Sequence, residues 1–190
     1  MIDFPDLTPY FPAAVAEACR LVAAVDDAAL TADTPCTDWQ VRQLLNHLFQ
    51  VVREFTDSSP DADLDFSDSS DFLVGDWRAD FAVRAQVLAA AWQRPGVVEG
   101  TTAQGMPMLI RAGLPVLDLT LHGWDLSRAI GRSFHCDRSH AEAAWLAMRA
   151  MAPMREGSVA FATEVPVAAD APVLDRLLGL AGRDPAWSRD

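Results

Sequence analysis

The sequence predicts an all-α protein built as a helical bundle. Three observations carry this. Four or five long segments repeat apolar residues at helical spacing. Little of the chain alternates as strands do. No internal repeat, glycine-rich phosphate loop or Gly-x-Ser-x-Gly nucleophile elbow interrupts the pattern. Long amphipathic helices without strand partners bury their apolar stripes against one another.

The first helix falls within residues 9 to 29, where Val15, Ala18, Cys19, Val22 and Val25 form one stripe. Residues 31 to 38, with Pro35, connect it to the second. Asp38 is the predicted N-cap of a helix running to about Phe55. Its inner face holds Val41, Leu44, Leu45, Leu48 and Val51, with His47 on the same side. Residues 57 to 71 read as a solvated acidic loop. The Asp61, Asp63, Asp65 run resembles the opening of a calcium loop. It places Phe66 and Phe72 where such a loop needs Gly and Glu.

Helix three is expected from Asp76 to Gln93, with Trp77, Phe81, Ala85, Leu88 and Trp92 inward and Pro95-Gly as its stop. Val97 to Met106 reads as irregular. Helix four is expected from near Met108 to Ile130, with Gly131 ending it; Pro115 falls within that range and is expected either to bend the helix or to mark a late start. Helix five covers Arg138 to Met151. From Ser158 an extended Val-rich piece leads to a short helix, Ala171 to Leu180, and then to Gly182-Arg-Asp-Pro. The expectation is one domain over residues 1 to 190, with 155 to 190 as a tail packed on the bundle.

The chain has 190 residues, 51% of them hydrophobic, enough to fill a core. No apolar run reaches bilayer length, and the N-terminus has no basic start or apolar signal core. A cytoplasmic protein is expected. The net charge of −12 argues against duplex nucleic acid or an anionic membrane as partner. All 15 basic residues are Arg, which suggests a high-GC bacterial genome. Cys19, Cys36 and Cys136 are an odd, dispersed set without a CxxC, so no disulfide framework is expected.

Chemistry concentrates in helix four. Asp118 and His122 are four residues apart and project from one mostly apolar face. Buried acids and imidazoles need partners. The two residues either pair with each other or share a divalent metal. His47 on helix two is the candidate third ligand. Two nitrogens and one oxygen suit Zn²⁺, Ni²⁺ or Fe²⁺ better than Mg²⁺ or Ca²⁺, and three ligands leave open positions. His135 and His140 flank a polar junction and are expected to face solvent.

Three motifs carry a resemblance. Thr34-Pro-Cys-Thr-Asp-Trp-Gln-Val-Arg-Gln-Leu-Leu-Asn-His-Leu resembles the opening motif of the mycothiol-dependent maleylpyruvate isomerase N-terminal domain family, within the DinB/YfiT-like metalloenzyme superfamily. Leu117-Asp-Leu-Thr-Leu-His-Gly-Trp-Asp-Leu-Ser-Arg-Ala-Ile-Gly is similar to its second motif. Val165-Pro-Val through Leu177-Leu-Gly-Leu-Ala-Gly-Arg-Asp-Pro is similar to the ending of a short single-domain branch.

The resemblance implies a DinB/YfiT-like four-helix bundle with an additional C-terminal helix and tail. It also implies a metal on His47, Asp118 and His122. The family's acid is commonly Glu, and Asp118 is one methylene shorter. Mycothiol is the implied cosubstrate, and its metal-bound thiolate is the implied nucleophile toward a small electrophile. The result would be S-transfer, or isomerisation if the thiol leaves again. The alternative is a non-catalytic metal-binding bundle, a sensor or accessory protein. A homodimer is also implied. The isomerase itself has a C-terminal domain contributing to its active site, whereas a short tail is read after helix five here, so general conjugation is expected over maleylpyruvate isomerisation. Asp125 lies seven residues beyond Asp118. It is expected to orient His122, or to bond the turn at Thr37 to Gln40, or to pair with Arg128. Trp39, Trp124 and Cys36 read as packing residues.

Overall fold

The computed structural model describes residues 3–152 and 162–189. Among these are six α-helices and no strands: α1 Phe11–Ala23, α2 Val41–Thr56, α3 Trp77–Trp92, α4 Met108–Ala129, α5 Arg138–Ala150 and α6 Val173–Leu180. In the bundle, α1 and α2 each pack against both α3 and α4. The remaining helices, α5 and α6, pack on each other. The predicted inward stripes are buried apart from half-buried Cys19, with Leu44, Leu45, Leu48, Phe81 and Leu88 fully so. Trp92, also buried, donates its indole N–H to the Phe55 carbonyl at 2.6 Å, which ties the end of α3 to the end of α2. No described helix is long and apolar enough to cross a membrane.

Several boundaries move, each for a local reason. The first helix stops at Ala23, and the predicted continuation is a separate 3-10 turn, Asp27–Thr31. Asp26 caps that turn by accepting from the Ala28 N–H at 3.0 Å. The second helix begins at Val41 and is capped by Gln40, not Asp38. Residues 34 to 39 are committed to a turn instead. The Thr34 hydroxyl donates to the Trp39 carbonyl at 2.8 Å and accepts from the Cys36 N–H at 3.1 Å. The side chains of Gln40 and Gln43 then satisfy the free N–H groups reciprocally. The helix α4 begins at Met108 and continues through Pro115, so the proline marks no late start, and Gly131 follows its end with φ +63°, a conformation only glycine adopts cheaply. The start of the Val-rich piece, Ser158 to Phe161, lies outside the described residues.

His140 corrects an expectation. It is buried rather than solvent-facing. Its ring stacks on Tyr10 at 4.9 Å, and its Nε2 lies 2.9 Å from the Thr120 hydroxyl. That hydroxyl already donates to the Val116 carbonyl, so it accepts from His140. The imidazole therefore carries a hydrogen on Nε2. Burial holds its pKa below the usual histidine value, against a smaller opposite pull from Asp137.

The unfolded chain binds a proton below about pH 6.5 that folded His140 resists. Its stabilising contribution is thus present above that pH and lost below it. The stability difference between wild type and His140→Gln is expected to shrink between about pH 7.5 and about pH 5.5. Urea midpoints at both pH values measure this, and a constant difference would contradict it.

Candidate metal centre

His47 projects from the middle of α2, and Asp118 and His122 from successive turns of α4. The packing of these two helices brings the three together. One ligand atom from each lies within 4.8 Å of the other two. Asp118 Oδ1 is 3.9 Å from His47 Nε2 and 3.9 Å from His122 Nε2. The shorter acid is thus equidistant from both imidazoles. Ligands about 2.0–2.2 Å from a common ion stand roughly 3–3.5 Å apart, so small side-chain rotations would close the set. The imidazole planes meet at 76°, with centroids 4.8 Å apart. The donor set therefore fits a divalent ion of the zinc type.

The far side of His122 decides which nitrogen is free. Its Nδ1 lies 2.9 Å from Asp125 Oδ2. Asp125 is fully buried, with 0% of its surface exposed. Burial favours the neutral acid, but the bond to His122 and the charge of Arg183 outweigh it and hold the carboxyl below its ordinary range. A carboxylate here accepts the Nδ1–H proton, which leaves the Nε2 lone pair pointing toward His47 and Asp118. Burial also lowers the His122 pKa, against the opposite pull of Asp125, so the ring tends to stay neutral.

Arg183 completes this arrangement, and sequence reasoning did not assign it a role. Its Nη2 is 3.0 Å from Asp125 Oδ2, 3.4 Å from Cys36 Sγ and 3.4 Å from His122 Nδ1. Cys36, His122 and Asp125 also converge as a second potential ligand group. The guanidinium already supplies the cation beside that group. Gly182 sets the approach of Arg183. Its φ is +82°, and a Cβ there would stand 2.6 Å from the Ala162 Cβ and 2.9 Å from the Thr163 carbonyl oxygen. The signal in the sequence was the Gly182-Arg183 pair within the tail motif.

Of the roles considered for Asp125, orienting His122 holds and pairing with Arg128 does not. Arg128 instead donates to the Trp187 carbonyl, with Nε at 2.9 Å. From the Thr34–Trp39 turn, it is the Cys36 thiol that reaches Asp125, at 3.5 Å. Burial first, then the Asp125 charge, push that thiol's pKa up to about 12. Cys36 is accordingly held in its protonated thiol form. Trp124 is core, as expected. Trp39 packs, as expected, and its neighbours are the two histidines: its ring lies 4.8 Å from that of His47 and 5.5 Å from that of His122.

Residues 11–127 match the mycothiol maleylpyruvate isomerase N-terminal domain family. This chain belongs to that family. The match includes His47, Asp118, His122 and Asp125, and ends before α5, α6 and Arg183. Two uncharacterized proteins of Mycobacterium tuberculosis are 30% identical to the chain over 172 residues: MT0763 of strain CDC 1551 / Oshkosh and Rv0738 of strain ATCC 25618 / H37Rv. Each alignment covers 86% of this chain and 90% of the relative, so the likeness to these two extends beyond the family segment. No solved structure matches the chain. The all-helical architecture agrees with the DinB-like bundle that the motifs implied.

Proposed function

We propose that this protein is a divalent-metal enzyme that directs a low-molecular-weight thiol, mycothiol, onto a small electrophile. The observation that carries the reading is the His47, Asp118, His122 set, with the His122 tautomer fixed by the buried Asp125. Zn²⁺ suits two imidazoles and a carboxylate, and such an ion lowers the pKa of a thiol brought to its open positions. The chain's own residues do the rest. His47 and His122 would each offer an imidazole Nε2 to the ion, and Asp118 a carboxylate oxygen. Asp125 holds the Nδ1 proton, and Arg183 keeps Asp125 ionised. Trp39 screens both imidazoles from water. Cys36, held as a thiol, leaves the sulfur nucleophile to come from the cosubstrate.

In transfer, a carbon–sulfur bond forms, the thiol proton passes to solvent and the leaving group departs with its electron pair. With an activated alkene the thiol adds, and isomerisation follows if it is expelled again.

The test follows mycothiol loss with 1-chloro-2,4-dinitrobenzene, using Zn²⁺-loaded wild type and Asp118→Ala. Wild type is expected to consume thiol at least about tenfold faster than buffer, and the variant to approach the buffer rate. A metal-loaded wild type no faster than buffer would contradict the enzyme reading and favour a sensor or accessory role.

A further inference from the structure

The acidic loop between α2 and α3 is not merely solvated. α2 presents a polar stripe at Arg42, Asn46, Gln50 and Arg53, spaced so that all four share one face. Every member of the stripe holds the loop. Arg42 pairs with Asp71 at 2.5 Å. Asn46 donates to Asp71 at 3.2 Å and accepts from the Phe72 N–H at 2.8 Å. Gln50 donates to the carbonyls of Phe66 and Asp68, and Arg53 pairs with Asp68.

These ties lay Phe66 along α2, with its ring 6.2 Å from that of His47 and 6.1 Å from that of Phe55. Phe66 is nonetheless 41% exposed. A fastened, half-exposed phenyl ring beside a candidate ligand is surface available to a bound molecule. Trp39 supplies a second aromatic ring against the same imidazole. Three arginines of this region are already paired with carboxylates. Arg183 is committed to Asp125, Arg42 to Asp71, and Arg53 to Asp68 and Glu54.

We infer that Phe66 and Trp39 form an aromatic subsite that selects an uncharged aromatic electrophile over a small anionic one. This rests on the thiol-transfer reading above. Two alkyl chlorides test it, because both undergo the same displacement. The thiol sulfur bonds to the carbon as the C–Cl bond breaks, chloride leaves with the electron pair, and the thiol proton goes to solvent.

Chloride release from 4-nitrobenzyl chloride and from chloroacetate would be measured with mycothiol, each corrected for the uncatalysed rate. Zn²⁺-loaded wild type and Phe66→Ala would be compared. Wild type is expected to favour 4-nitrobenzyl chloride. Phe66→Ala is expected to lose roughly five- to tenfold in kcat/KM for it, chiefly through KM. Metal content and chloroacetate turnover should stay within about twofold of wild type. Because Phe66 lies in an exposed loop, the variant should fold, and retained metal verifies this.

Unchanged 4-nitrobenzyl chloride kinetics in Phe66→Ala, or a wild-type preference for chloroacetate, would overturn the subsite and leave thiol transfer standing. Failure of metal-loaded wild type to accelerate either displacement would overturn the thiol reading and the subsite together.

Discussion

Asp125→Ala is expected to destabilise the fold by about 3–5 kcal/mol, the usual effect of leaving one member of a buried ion pair alone. Asp125 is fully enclosed, and Arg183 is nearly so. Without the carboxylate, the guanidinium faces a thiol and an imidazole, and neither balances its charge. His122 would also lose the acceptor for its Nδ1–H. The double variant Asp125→Ala, Arg183→Met is expected to recover a large part of the loss, since it removes the stranded charge as well. Urea unfolding of the three proteins measures both effects. A single-variant loss below about 1 kcal/mol would show that this ion pair is not a structural tie.

The second large effect concerns affinity. His47→Ala is expected to weaken Zn²⁺ binding by about 100-fold or more, since structural and catalytic zinc sites draw most of their affinity from three or four protein ligands. His47 is partly exposed on α2 and makes no bond to Asp125 or Arg183, so its loss should leave that tie and the fold intact. Competition titration against a chromophoric chelator gives the ratio. Equal affinities would remove His47 from the ligand set.

These expectations rest on features the sequence disclosed unevenly. The stripe of α2 already placed His47 on the buried side, and four-residue spacing set Asp118 and His122 on one face of α4. Periodicity reports such positions because helix geometry repeats along the chain. It is silent on pairings between distant segments. Arg183 reaches Asp125 across 58 residues of sequence, through a glycine turn whose purpose is visible only once Ala162 and Thr163 are seen beside it.

His140 departs from its expected exposure for a related reason. Its polar neighbours suggested solvent, but the face of α5 that carries it meets Thr120 and Tyr10. The start of α2 shifted because Thr34 bonds the backbone of its own turn, which competes with Asp38 as the helix cap. Phe66 was hidden by composition, a single aromatic residue in a run of Asp and Ser that reads as loop. Its fastening to α2 comes from polar residues on the outer face of that helix, which a search for the core passes over.

Elemental analysis of purified wild type beside His122→Ala tests the centre most directly. His122 is the residue through which the ligand set, the Asp125–Arg183 tie and the tautomer argument all pass. About one zinc-type ion per wild-type chain, and almost none in a folded His122→Ala, is the expected result. Equal metal content in the two proteins would refute the assignment of His47, Asp118 and His122 as the metal centre.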